Sequence, residues 1–137
     1  MLSSYENIEL AERVLTELCG ANHVDDEVTY WAGMALREAL ANAIKHGNKL
    51  NPEKRVYVHM ILRPGTDLRL EIEDEGNGFD AGRLADPTAP ANLLRSNGRG
   101  VYYMRQFMDE VRFHTGKRGG TLLELVKRLN ASPGRVT

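Results

Sequence analysis

Apolar positions follow a helical period along the first third of the chain and a period of two along much of the rest. Ser3 and Glu6 form a capping-box pattern ahead of Leu10, Val14, Leu15 and Leu18, which predicts a helix over about residues 5–19. "GANHVDD" reads as a loop in which Asp25 or Asp26 caps the next helix. That second helix is expected to run to His46. Its core stripe is Val28, Trp31, Ala32, Ala35, Leu36, Ala39, Leu40 and Ala43, and Gly47 supplies the stop.

The period then changes. "RVYVHMILR" turns Val56, Val58, Met60 and Leu62 to one face, and "PGTD" is a turn. "LRLEIED" points Leu68, Leu70 and Ile72 inward and Arg69, Glu71 and Glu73 outward. Together they predict an antiparallel hairpin with one buried face. "DEGNGFD" breaks the strand. Residues 81–97, with Pro87 and Pro90, show no period and read as a long loop of the kind that serves as a lid or binding loop. "GRGVYYMRQFMDEV" reads as a glycine turn opening a helix. "VRFHT", a "GKRGG" turn and "TLLELVKRL" form a second hairpin. Helices first, then hairpins with one helix between them, predict a two-layer α+β sandwich rather than a doubly wound parallel sheet.

Composition narrows the function classes. The 137 residues suit one domain, and 42% hydrophobic with 27% charged residues suits a globular protein. A net charge of −1 gives no bulk electrostatic case for nucleic acid or an anionic membrane. No apolar run approaches the roughly 20 residues of a membrane span, and "MLSSYENIEL" lacks the basic and apolar regions of a signal peptide. Cys19 is the single cysteine, which excludes an internal disulfide and fits a cytoplasmic location. Four scattered histidines give a zinc site little support.

Three features stand apart from packing. In "REALANAIKHGN", Glu38, Asn42 and His46 recur every fourth residue. Four residues advance about 400°, so the three form a slowly drifting line along the edge of the Ala-rich stripe, where a ligand has room to approach. The same spacing also describes a solvated helix face, and His46 also suits a helix C-terminus. In "DEGNGFD", Asp74 continues the buried alternation of Leu68, Leu70 and Ile72. A carboxylate there is costly unless something donates to it, and the exocyclic amine of a base is one such donor. Gly76 and Gly78 permit close approach by a planar group or a phosphate, although the stretch also reads as ordinary turn chemistry. In "NGRG", Gly98 and Gly100 precede a helix whose N-terminus suits an anion, and Arg95 and Arg99 add planar donors; a flexible linker is the plainer alternative. No P-loop pattern occurs.

Taken in order, these stretches resemble the GHKL ATPases, whose nucleotide-binding domain is the Bergerat fold. "EALAN" resembles the N box, "DEGNGFD" the first glycine box, "NGRG" the second, and "GGTLLEL" the last motif, so the resemblance implies a single such domain with its core over about residues 5–130. Within that superfamily, "EALANAIKHGN", "DEGNGFD" and "GRGVYYMRQFMDEV" look like the bacterial anti-sigma factor serine kinases. The resemblance implies helices on one face of a mixed, mainly antiparallel sheet. It implies ATP or ADP with Mg²⁺, a sigma factor and a STAS-type antagonist phosphorylated on serine as partners, and a possible homodimer. It implies Glu38 as general base, Asn42 on Mg²⁺, and Asp74 on the adenine amine. Gly76 and Gly78 would make room for the base, and Gly98, Arg99 and Gly100 would sit on the phosphates. Thr121 would support the adenine, and Arg95 or Arg99 would meet the γ-phosphate. His46 receives no catalytic role.

One departure is that members of this family usually begin with an edge strand, whereas "MLSS" is too short to form one. The dimer and the partner surface built from that region are therefore open here; the exposed ends of the first two helices and the 81–97 loop are the expected recognition surface. Two other readings remain: a nucleotide-dependent binding regulator without significant kinase activity, and an interaction domain that takes no nucleotide.

Overall fold

In the computed structural model, residues 4–51, 53–76 and 100–129 are described. Helix α1 spans Glu6–Ala21, and α2 spans Asp26–Asn42 and continues as a π-helical turn, Ala43–Gly47. Strands β1 (Val56–Arg63) and β2 (Asp67–Asp74) form the first hairpin. Helix α3 (Gly100–Phe107) precedes β3 (Glu110–Thr115) and β4 (Thr121–Arg128). The sheet order is β1-β2-β4-β3, and every pair among these strands is antiparallel. The helices lie on one face, so the α+β two-layer sandwich expected from the sequence is the observed architecture.

The register shows how the alternation builds the core. Val58, Ile72, Leu123 and Phe113 form one cross-sheet row, and Met60, Leu70, Leu125 and Val111 the next, all turned toward the helices. The opposite face carries Tyr57, Glu73, Leu122 and His114 in one row and His59, Glu71, Glu124 and Arg112 in another. Ile72, Leu70 and Leu125 are buried, and fully burying each side chain stabilises the fold by roughly 1.5–3 kcal/mol. The first hairpin turns through Pro64–Gly65, where Gly65 has φ 71° and Thr66 N–H donates to Arg63 C=O at 2.9 Å. That is the pattern of a type II turn.

The helices depart from expectation in three places. The buried row of α1 is Ile8, Ala11, Leu15 and Cys19, whereas Leu10 and Val14 are about half exposed (50% and 48%). The sequence offers two neighbouring apolar rows, and the small side chains decide between them. Ala11 and Cys19 share one buried cluster with Ala32, Ala35 and Ala39 of α2, and slim side chains on both helices suit close packing. Ser3, expected to cap α1, lies outside the described residues; Glu6 N–H reaches Ser4 Oγ at 3.3 Å. Trp31, expected in the core stripe of α2, is 37% exposed and stacks on Phe107 of α3 at 4.9 Å. The ring is too large for the alanine-lined interior and lies at its margin.

The third departure concerns the end of α2. It does not run as an α-helix to His46 but widens after Asn42, with Asn48 N–H donating to Ala43 C=O at 2.8 Å. Gly47 lies within this turn, and the positive φ values belong to Lys49 (52°) and Leu50 (62°). The stop is therefore made by those two residues, and Gly47 is used for close approach. The wide turn delivers Asn48, with no exposed surface, between the ends of β1 and β2. Its Nδ2 donates to Arg55 C=O at 2.9 Å, and its Oδ1 accepts the Glu75 N–H at 2.7 Å.

Replacing Asn48 with alanine orphans one backbone donor and one acceptor, at about 1–3 kcal/mol for each buried group. Asn48→Ala is expected to lower the free energy of urea unfolding by roughly 2–4 kcal/mol with an unchanged slope. A loss within about 0.5 kcal/mol of zero, the range of an ordinary surface change, would show that this amide does not tie α2 to the sheet.

Candidate functional site

Asp74 is the last residue of β2 and faces the helices, opposite Val56 in the β1–β2 register. It is buried, 5% exposed, where an isolated carboxylate would be strongly disfavoured. Two backbone donors compensate. Gly76 N–H and Thr121 N–H both reach Oδ1, at 2.9 Å and 3.1 Å. Burial pushes the Asp74 carboxyl above the ordinary aspartate range; the Thr121 and Gly76 hydrogen bonds pull it back in part, with Glu73 adding upward and Lys54 downward. Among the described residues, no donor reaches Oδ2.

The backbone closes tightly around this group. A Cβ at Gly47 would overlap Asp74 Oδ2, and one at Gly76 would overlap the Gly47 carbonyl oxygen. Gly120, just before Thr121, likewise leaves no room for a side chain against Asp74. Three chain segments thus meet at one carboxylate: the π-turn after α2, the residues after β2, and the start of β4. Glu75 locks the adjoining strand ends, accepting the Arg55 N–H on Oε1 (2.7 Å) and the Tyr57 hydroxyl on Oε2 (2.9 Å). These donors hold its carboxyl below the usual range.

Glu38 and Asn42 sit one helical turn apart on α2. Both line a groove of about 420 Å³ with Tyr5, Ile8, Glu9, Arg37, Ala41 and Lys45. Asn42 is buried, at 5% exposure, and Glu38 is half-buried. His46 is not part of this groove; burial, and then the Lys45 charge, lower its pKa. The groove and the Asp74 carboxylate are joined through the π-turn, which begins just after Asn42 and ends at Gly47. Gly100 is the first residue of α3. Gly78, Arg95, Gly98 and Arg99 lie outside the described residues, as does the 81–97 loop.

The structure therefore brings Asp74, Gly76 and Thr121 together at one end and Glu38 with Asn42 at the other. Sequence reasoning missed Gly47 and Gly120 as walls of the pocket and Asn48 as its anchor. The available signal was an unusual run, "HGN", placing a glycine and an amide straight after an apolar helix.

Gly47→Ala is expected to leave the chain folded but to displace the Asp74 carboxylate, since an added methyl would overlap the Asp74 side chain itself. A destabilisation of about 1–3 kcal/mol by denaturant titration is the expected cost. An unchanged midpoint together with an unchanged backbone amide spectrum at Gly76 and Thr121 would contradict the close approach.

Comparison with known proteins agrees with this architecture. The chain matches the histidine kinase-like ATPase domain family over residues 1–127. It is 41% identical to the anti-sigma F factor of Bacillus cytotoxicus over 98 residues, covering 69% of this chain and 66% of that protein. The anti-sigma F factor of Anoxybacillus flavithermus is 38% identical over 98 residues, with the same shares. The chain thus spans about two thirds of the length of these relatives. Among solved structures, the Mycobacterial sensor histidine kinase MprB aligns with a TM-score of 0.55 at 21% identity, covering 76% of this chain and 74% of that one. The blue-light activated histidine kinase of Erythrobacter litoralis EL346 aligns with a TM-score of 0.60 at 21% identity, covering 85% and 40%. At such identities the likeness is one of fold. With nearly its whole length matched, the chain belongs to the histidine kinase-like ATPase domain family.

Proposed function

We propose that this protein is an ATP-dependent serine-protein kinase of the anti-sigma factor type, which sequesters a sigma factor and phosphorylates a serine of a STAS-type antagonist. The observation that carries the nucleotide part is Asp74 itself: a buried carboxylate with one oxygen met by two backbone N–H groups, no described donor on the other, and glycine backbone close around it. The remaining oxygen suits a ligand that brings its own N–H donor, and the adenine amine is such a donor. The anti-sigma part draws on the two relatives, whose names say what those proteins are.

In this reading, Asp74 Oδ2 accepts from the exocyclic amine. Gly78 leaves room for the ring and Thr121 supports the base, whereas the missing side chain of Gly76 admits the Gly47 carbonyl beside Asp74. Gly98, Arg99 and Gly100 hold the phosphates, with Arg95 or Arg99 on the γ-phosphate. The side-chain oxygen of Asn42 would hold Mg²⁺, an ion commonly bound through only one or two protein oxygens, and the ion would neutralise phosphate charge. A single buried amide at the end of an α-helix fits that sparse protein ligation. Glu38 takes the proton from the acceptor serine hydroxyl as the phosphoryl group is transferred, the rest of catalysis being alignment and charge neutralisation. The groove beside α1, which Glu38 borders, is open enough to admit an acceptor segment.

Asp74→Asn is expected to weaken the binding of a non-hydrolysable ATP analogue with Mg²⁺ by about a hundredfold in calorimetric titration. The amide keeps one oxygen for the two backbone donors but turns an NH₂ group toward the adenine NH₂. For the wild type the sign of the pH effect is fixed by the raised pKa. The amine favours the ionised carboxylate, so affinity is full above the raised value and falls as pH drops through it, earlier in acidification than an ordinary aspartate would give. Binding that ignores Asp74→Asn would overturn the assignment.

Glu38→Ala is expected to slow phosphorylation of the antagonist by roughly 10²- to 10⁴-fold while leaving capture of the sigma factor intact. Phosphorylation at the wild-type rate would remove Glu38 from the mechanism. Sigma capture without measurable phosphorylation in the wild type as well would favour a nucleotide-dependent binding regulator over a kinase.

A further inference from the structure

Glu73 and Asp74 are consecutive on β2, so their side chains leave opposite faces of the sheet. Asp74 points toward the helices. Glu73 points outward, level with Tyr57 on β1 and Leu122 on β4. An outward glutamate in a sheet normally meets water, yet Glu73 is only 7% exposed. Its cover is Arg118, in the turn between β3 and β4. The Arg118 backbone N–H donates to Glu73 Oε2 at 3.1 Å, and its Nη1 donates to Oε1 at 2.9 Å. The guanidinium also lies over the Tyr57 ring, 3.8 Å from its centroid.

The Arg118 side chain is 42% exposed, so its ion pair alone adds little stability. What the arrangement fixes is position. Backbone and side chain of one residue occupy both oxygens of one carboxylate while the same guanidinium rests on a ring. The Tyr57 ring is itself held, because its hydroxyl donates to Glu75. Three residues after Arg118, Thr121 N–H reaches Asp74 Oδ1. One short turn therefore anchors to Glu73 on the outer face and carries a donor for Asp74 on the inner face.

We propose that Arg118 is a positioning residue of the base pocket. By pinning the β3–β4 turn to Glu73 and Tyr57, it holds the Thr121 N–H on Asp74 and so sets the preference of the site for a base that carries an exocyclic amine. Arg118 touches no substrate in this account and acts only through Thr121 and Asp74. The inference rests on Asp74 being the carboxylate that recognises the base. Without the Thr121 donor, Oδ1 keeps only the Gly76 N–H, the carboxylate loses its fixed orientation, and its proton is held more tightly. Glu73 and Lys54 are the charged groups that also act on Asp74. Loss of the guanidinium leaves Glu73 without its cation, and that too favours the protonated Asp74.

The test is calorimetric titration of non-hydrolysable ATP and ITP analogues with Mg²⁺ across pH. ITP has a carbonyl where ATP has the amine. The proteins are the wild type, Arg118→Ala, Arg118→Lys and Asp74→Asn, with thermal unfolding as the fold control. Arg118→Ala is expected to bind the ATP analogue roughly three- to tenfold more weakly. Its preference for ATP over ITP should shrink, and the acid loss of binding should move to higher pH. Arg118→Lys, which keeps the charge but not the planar stack, should recover part of each effect, and it carries the same readouts should the alanine variant unfold. Folded variants with wild-type base preference and pH profile overturn the proposal, even where both nucleotides bind somewhat more weakly, since that is what a merely structural role predicts. Failure of the underlying reading is distinct: wild type that binds neither nucleotide, or Asp74→Asn that binds as wild type does, removes the base pocket and this role with it.

Discussion

A carboxylate buried at the end of a strand imposes most of what surrounds it. Asp74 must be met by donors, and in a core built from aliphatic side chains the cheapest donors are backbone N–H groups brought from other segments. Bringing them close excludes Cβ atoms, so glycine occupies the approaching positions 47, 76 and 120. The widening of α2 after Asn42 follows from the same demand. A regular α-helix would carry residue 47 around the axis, whereas the π-turn lets it lie against Asp74 and releases Asn48 into the gap between strand ends. Such π-turns are frequent at functional sites, where a side chain or backbone must be aimed out of helical phase.

The neighbouring acid, Glu73, uses the opposite face of the same strand to hold the same hairpin. Elsewhere the outer face is laced by charge. Glu124, 8% exposed, is met by Arg69 at 3.0 Å, with Arg112 and His114 farther off. These contacts keep a sheet face without helices polar enough for solvent. They contribute little individually, and their use is to fix the order of the strands' side chains rather than to supply net stability. The stabilising burial is on the other face, where the aliphatic rows of β1, β2 and β4 pack beneath the buried faces of α1 and α2.

Much of this was legible in the sequence because it depends on periodicity. The two hairpins, the inward rows and the third helix follow from alternation and turn residues, and the α+β class follows from their order. Asp74 was legible as an anomaly, an acid continuing an apolar alternation. Other features were hidden because they depend on partners distant in sequence. Leu10 and Val14 have the spacing of a core row, but the alanine face of α2 selects the slimmer row beside them. Trp31 has the right phase for the stripe and the wrong size for the space. Gly47 looked like a helix stop because its partner, Asp74, lies 27 residues away. Arg118 looked like a turn residue because nothing local indicates that Glu73 and Tyr57 converge beneath it.

The position of Asn42 and Gly47 at the two ends of one π-turn ties the groove to the pocket. Five residues of tightly hydrogen-bonded backbone offer little slack, since Asn48 N–H is bonded to Ala43 and Leu50 N–H to Ile44. Its far end is fixed by the Asn48 amide to both strand ends. On the proposed reading, a base seated against Asp74 and a metal held at Asn42 would bear on the same rigid segment, so the distance between the base end and the phosphate end is set by the fold before nucleotide arrives. That is the kind of preorganisation phosphoryl transfer requires, because alignment supplies much of its acceleration. The groove bordered by Glu38 also includes Asn42, so on the same reading an acceptor segment would enter beside the amide that holds the metal.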